Sequence, residues 1–176
     1  SFVEATAGLE NVYGSSSEFA DVDADGDQDL VLMGEKADRS ETATLYLNDG
    51  TGNFSSANAG LTGRSTGSVS FADVNGNGAP DLLITGSYGT DLYVNDGNGN
   101  CTEETNPVDT NSDGAGDTSL PKVVYSSSDF ADIDRDGDQD LVVTGYSSDA
   151  SAAVSKLYIN EGSAVFSEAS ASLDAV

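Results

Sequence analysis

Short apolar runs that stop at a glycine recur along this chain: LVLMG at 30–34, LLITG at 82–86 and LVVTG at 141–145. Each follows a polar stretch of nine residues, and each such stretch follows Phe-Ala. The positions around Phe-Ala-Asp-Val alternate apolar and polar with period two, the pattern of a half-buried strand. The apolar runs themselves predict strands covered on both faces. A third strand is predicted at TLYLN (44–48), DLYVN (91–95) and KLYIN (156–160). The Asn-Asp-Gly-x-Gly-Asn segments at 48–53 and 95–100 carry hairpin-turn chemistry. A fourth strand then begins at Phe54, Cys101 or Phe166. No window carries helical periodicity.

These elements are one unit used three times. EFADVDADGDQDLVLMG (18–34), SFADVNGNGAPDLLITG (70–86) and DFADIDRDGDQDLVVTG (129–145) align without gaps. Their first loop aspartates, Asp21, Asp73 and Asp132, lie 52 and 59 residues apart, a spacing that suits one four-stranded unit per repeat. The repeats are placed at about 10–61, 62–106 and 118–174, with an insertion at 107–117. Residues 2–9 resemble positions 54–61, and Phe2 and Phe54 each sit 19 residues before a loop aspartate. The first nine residues predict an extra N-terminal strand. The expected fold is therefore all-β, one domain built of β-propeller blades. Three blades fall short of the usual ring, so they predict an open arc or half of a six-bladed dimer.

The nine-residue loops carry the chemistry. In the first, side-chain oxygens fall at positions 1, 3, 5 and 9 (Asp21, Asp23, Asp25 and Asp29), with the Asp27 carbonyl at position 7 and Gly26 at the sharp turn. The third repeats this with Asp132, Asp134, Asp136, the Asp138 carbonyl and Asp140 around Gly137. The second offers Asp73, Asn75, Asn77, the Ala79 carbonyl and Asp81 around Gly78. A tight loop of alternating oxygens suits a hard cation that takes six to eight oxygen ligands, which is calcium. The second loop has two carboxylates where the others have four, so it is expected to bind more weakly. These are not EF-hands: position 12 is Leu32, Ile84 or Val143 rather than Glu, and no helix is predicted after it. A fourth loop in the insertion has the same spacing, with Asp109, Asn111, Asp113, the Ala115 carbonyl and Asp117. A solvated polar loop explains that segment equally well.

Composition narrows the function. The chain has 176 residues, six of them Lys or Arg against 31 Asp or Glu, for a formal net charge of −25. Nucleic-acid binding, which needs a basic face, is excluded, as is charge-driven binding to an anionic membrane. No apolar run is long enough to span a bilayer as a helix. There is no histidine, so no histidine-based catalytic set can form, and the single cysteine, Cys101, excludes an intrachain disulfide. Most of the aspartates are absorbed by the loops, so no catalytic residue is assigned. Residue 1 is Ser and no signal peptide is visible; the segment reads as mature or excised. Tyr46, Tyr93 and Tyr158 recur at one position and are expected to pack between blades. Tyr88 and Tyr146 fall in the variable segment after the second strand and are the candidate ligand-binding residues. Asn53-Phe-Ser55 and Asn100-Cys-Thr102 fit the glycosylation sequon at a strand start.

The motif FADVDxDGDxDLVV followed by LYLNDGxGxF resembles the FG-GAP/VCBS repeat family, the calcium-loop propeller repeats also present in integrin α-subunits, fungal lectins and secreted bacterial proteins. The resemblance covers essentially the whole chain, and Gly78-Ala79-Pro80 preserves its GAP piece. The chain departs from the pattern in having only three units, in Asn75 and Asn77 for Asp, and in Cys101 for Phe. What the resemblance implies is one blade per repeat, calcium between strands one and two, and an extracellular setting, secreted or at the cell surface. The expected role is a non-catalytic module for adhesion or for recognition of a glycan or protein ligand, with a second copy as the candidate partner closing a ring. A purely structural calcium-stapled spacer, or an accessory domain of a polysaccharide-acting enzyme, are the alternatives.

Overall fold

Period-two alternation becomes strand wherever the sequence carries it. The computed structural model describes residues 8–111, 116 and 118–169, and all its regular elements there are strands. Among the described residues no helix is long and apolar enough to cross a membrane. Most of the expected N-terminal strand lies outside the described residues; Gly8 and Leu9 have no strand pairing.

Strands β1 (Tyr13–Ala20), β2 (Asp29–Glu35), β3 (Glu41–Asn48) and β4 (Phe54–Ala57) form an antiparallel meander. Strands β5 (Val69–Ala72), β6 (Asp81–Gly86), β7 (Gly89–Asn95) and β8 (Cys101–Glu104) form a second. In the insertion, β9 (Val108–Asp109) runs parallel to β13 (Phe166–Glu168). A third meander comprises β10 (Val123–Ala131), β11 (Asp140–Ser147), β12 (Ala152–Asn160) and β13. One backbone pairing, Val123 with Gly89, links the second and third meanders. In or just before each first strand the backbone reverses at a residue with positive φ: Gly14 at 54°, Thr66 at 55° and Tyr125 at 51°.

Register is the same in all three meanders, and it gives each sheet two apolar faces. One row runs Phe19–Leu30–Tyr46, Phe71–Leu82–Tyr93 and Phe130–Leu141–Tyr158. We call this the leading face. The adjacent row points the other way and contains Val31–Leu45, Leu83–Leu92 and Val142–Leu157, the trailing face. The trailing Val31 and neighbouring Met33 of the first meander pack on the leading Leu82, Ile84 and Tyr93 of the second. Val74, Leu83 and Leu92 of the second pack in turn on Leu141, Val143 and Tyr158 of the third. This serial stacking explains why β6, which lies in the middle sheet, is buried along its whole length. Leu82, Leu83 and Ile84 each contribute on the order of 2 kcal/mol by leaving water. The recurrent tyrosines are packing residues, all three buried between or beside sheets. Tyr93 still satisfies its hydroxyl, which accepts the Thr62 N–H at 2.9 Å.

Cys101 stands in β8 where the other meanders have Phe54 and Phe166. It is half-buried against the Val31–Tyr93 cluster, and burial pushes its thiol up to about 11. Since the thiolate is the nucleophile, the folded protein should react slowly with a thiol reagent near about pH 8 and rapidly after denaturation. Rapid stoichiometric labelling of the native protein would contradict this packing.

Candidate metal-binding loops

Each acidic loop joins the first and second strands of a meander. The first spans residues 21–29, between β1 and β2. Two backbone reversals shape it, at positions 4 and 6: Ala24 has φ 60° and Gly26 φ 94°. The pair recurs as Gly76 and Gly78, and as Arg135 and Gly137. Position 6 was legible as a turn glycine. Position 4 was not, because two of its three residues are not glycine and αL carries no sequence signal there.

The reversals turn carboxylates inward. Oxygens of Asp21, Asp23 and Asp29 lie within 4.8 Å of one another, and so do those of Asp132, Asp134 and Asp136. In the first loop Asp21 Oδ2 accepts the Gly26 N–H at 3.1 Å. Its other oxygen, Oδ1, is buried and has no hydrogen-bond partner. A buried carboxylate oxygen without a donor is costly unless a cation meets it. Burial first, then the Asp25 and Asp29 carboxylates, push the Asp23 carboxyl above its usual range. Loss of water contact first, then neighbouring Asp136 and Asp140, do the same to Asp134. These groups crowd one another with no Lys or Arg bridged to them; the ion pairs among the described residues are Lys36–Glu10, Arg64–Asp91 and Lys156–Glu168. An all-oxygen donor set with an orphaned inward oxygen fits calcium.

The second loop is built differently. Asp73 accepts three backbone N–H groups, from Gly76 at 2.8 Å, Asn77 at 3.1 Å and Gly78 at 2.8 Å. The Asn75 amide donates to Asp81 at 3.4 Å, and the Asn77 amide to the Asn95 carbonyl at 2.8 Å. Here amides already occupy oxygens that aspartates would leave free for a cation. Among the described residues no group of three acidic side chains gathers at this loop.

The ninth position has a second role. Asp29, Asp81 and Asp140 are buried, and each spends one oxygen on the loop and one on the end of the third strand. Their Oδ2 atoms accept the N–H of Val22, Val74 and Ile133 at 2.8–2.9 Å. Their Oδ1 atoms accept the N–H of Asn48, Asn95 and Asn160 at 2.8–2.9 Å. The asparagines complete the strut. Asn95 Nδ2 donates to the Val22 carbonyl of the preceding meander at 2.8 Å, and Asn160 Nδ2 donates to that of Val74 at 2.8 Å. In the sequence Asn48 and Asn95 belong to a hairpin turn and Asn160 to none; the recurrence of all three in LYxN was the signal of the strut.

Of the insertion loop, Asp113, Ala115 and Asp117 lie outside the described residues. Asp109 sits in β9 and is buried, and its Oδ1 accepts the Asn111 N–H at 2.9 Å. The sequon asparagines Asn53 and Asn100 cap their own turns, donating to Asp49 and Asp96 at 2.9 Å.

The candidate ligand tyrosines do not share one site. Tyr88 lies in the β6–β7 turn, in a cleft of about 140 Å³ with Arg64, Asp91 and Glu103. Tyr146 lines a wider cleft of about 340 Å³. Its partner across that cleft is Tyr125, the most exposed large apolar side chain described. The sequence did not mark Tyr125 as a ligand candidate, because the backbone reversal at its position leaves no periodic trace.

The family model described as FG-GAP-like repeat matches residues 21–84 and 73–143, overlapping windows that each run from one acidic loop through the next apolar strand. No curated protein matches the chain.

Proposed function

The chain belongs to the FG-GAP-like repeat family, and from that premise we propose that it is a calcium-stapled β-propeller module, extracellular and non-catalytic, that recognises a glycan or protein ligand. The three meanders are then successive blades of an open arc or of half a ring. In the first loop calcium would be held by Asp21, Asp23, Asp25 and Asp29 with the Asp27 carbonyl, and in the third by Asp132, Asp134, Asp136 and Asp140 with the Asp138 carbonyl. The second loop would hold it more weakly through Asp73, Asn75, Asn77, Asp81 and the Ala79 carbonyl. The ion supplies positive charge that lets these aspartates converge. The chain's own residues supply the frame: the αL pair shapes the loop, and Asp29, Asp81 and Asp140 tie it to the third strand. The observation that carries the calcium reading is the orphaned, buried Oδ1 of Asp21 amid an acidic group.

Recognition is assigned to the opposite end of the sheets, where the second and third strands meet. The exposed pair Tyr125 and Tyr146 supports this over a purely structural spacer, because aromatic faces on a polar cleft suit sugar rings and protein side chains. On an array of glycans and extracellular-matrix proteins, the protein should give a signal in calcium that Tyr146→Ala abolishes without changing thermal stability. Silence on every ligand, or a signal indifferent to Tyr146, would favour the spacer.

A further inference from the structure

The contacts between successive meanders obey a rule, and the two outermost faces each hold half of it. In the rule, a Val carbonyl in the acidic loop of one meander receives two N–H donors from the next. The Val22 carbonyl accepts Asn95 Nδ2 at 2.8 Å and the Gly99 N–H at 3.2 Å. The Val74 carbonyl accepts Asn160 Nδ2 at 2.8 Å and the Ala164 N–H at 3.0 Å. These are the same repeat positions both times.

At the third meander the acceptor is Ile133, and among the described residues nothing donates to its carbonyl. At the first meander the donors are Asn48 and Gly52. Asn48 Nδ2 keeps only the bond to its own loop, at Gln28, which Asn95 and Asn160 also make within theirs. Gly52 is exposed, with open space around it.

The apolar surface is split in the same way. Val22 and Val74 are 2% and 1% exposed, whereas Ile133 is 49% exposed. Val31, Leu45, Leu83 and Leu92 are fully buried on the first two trailing faces. Their counterparts Val142 and Leu157 are only partly covered, and with Ile133 they line an apolar hollow of about 110 Å³. On the first leading face Leu30 and Tyr46 are already buried, at 5% and 4% exposed, and the open part is the loop-end rim, where Phe19 is 57% exposed and packs on Phe54 with ring centroids 6.5 Å apart. The corresponding Phe71 and Phe130 are partly covered by the preceding sheet.

We propose that the trailing face of the third meander, at Ile133, docks on the leading face of the first meander, at Asn48 and Phe19, of a second copy of this chain. The occupant is argued from the interface itself, because the internal junctions show what covers each half, and this chain carries both halves. The contact is head-to-tail, so two copies close a ring if the rotation per meander allows it and extend as a filament if it does not. The inference rests on reading the meanders as serial repeats, not on the ligand. Each copy carries a net charge of −25, so screening by salt must accompany the contact.

The test is light scattering on the intact chain, in calcium and at physiological salt, over a concentration series. Wild type should associate, levelling at twice the monomer mass for a ring or growing further for a filament. Ile133→Asp and Phe19→Asp should each weaken association by about 100-fold, as loss of a central apolar anchor does. Both residues are exposed in the single chain, so the melting point of the dilute variants should not move. An equimolar mixture of the two variants should restore a heterodimer, because each keeps one intact face. Monomers at every concentration would overturn the contact while leaving the calcium and recognition readings standing. Association indifferent to both variants, or lost in both and not restored by mixing, would overturn it too.

Discussion

Removing calcium should lower the melting temperature of this protein by about 10–20 °C. A cation that binds only the folded loops stabilises by mass action, about 2.7 kcal/mol per site when it exceeds its dissociation constant a hundredfold. Two strong loops give roughly 5 kcal/mol, and each kcal/mol moves the midpoint of a domain this size by about 2–4 °C. The physical source is the crowding of carboxylates. Oxygens from Asp21, Asp23 and Asp29 converge within 4.8 Å with no basic side chain bridged to them. Without a cation the folded state holds like charges together that the unfolded chain separates. Calorimetry in millimolar calcium and in excess chelator checks this. Equal midpoints under the two conditions would remove the metal from the account of stability.

The second large effect is expected at the asparagine strut. Asn160 is buried and makes three bonds at once: it donates to the Val74 carbonyl at 2.8 Å and the Gln139 carbonyl at 3.2 Å, and it accepts the Gly162 N–H at 3.0 Å. Asn160→Ala removes all three, leaving the Val74 carbonyl with the Ala164 N–H alone and the Gln139 carbonyl and Gly162 N–H without this partner, at a cost of about 2–4 kcal/mol. Asn95→Ala should cost a similar amount, since Asn95 repeats the geometry with Val22, Pro80 and Gly97. Asn48→Ala should cost less than about 1 kcal/mol in the single chain, because its outer donor faces an open side. Urea unfolding of the three variants at low protein concentration gives the comparison. Equal losses at all three positions would mean that the asparagines act within their own turns and not between sheets.

That asymmetry between identical motifs marks the limit of what the sequence made legible. Strand positions came from alternation, and the reading of the apolar runs as covered on both faces holds for β6, which lies between two sheets, but not for β11, whose Val142 is only partly covered. The gathering of Asp21, Asp23 and Asp29, and of Asp132, Asp134 and Asp136, was legible because the spacing of oxygens is a local property of nine residues. The dual role of Asp29, Asp81 and Asp140 was not, because the strand N–H groups they accept lie 19, 14 and 20 residues away. The insertion read equally as a fourth metal loop or as a solvated polar loop, yet Val108 and Asp109 are buried and pair with β13; a two-residue strand leaves no periodicity to detect. The exposure of Ile133 was equally hidden. Its position equals that of Val22 and Val74 in every local respect and differs only in having no further sheet stacked against it among the described residues. The same holds for Tyr125, whose outward aim comes from a backbone reversal that Gly14 and Thr66 share without an aromatic side chain.

The central claim is that the repeated acidic loops hold calcium, and calcium titration by calorimetry tests it most directly. The account predicts two strong sites and a weaker third on the wild-type chain. Asp21→Asn should remove one strong site and Asp132→Asn the other, while the weak site, which belongs to the loop around Asp73, survives in both. No binding to the wild type, or an unchanged stoichiometry in both variants, would contradict the claim.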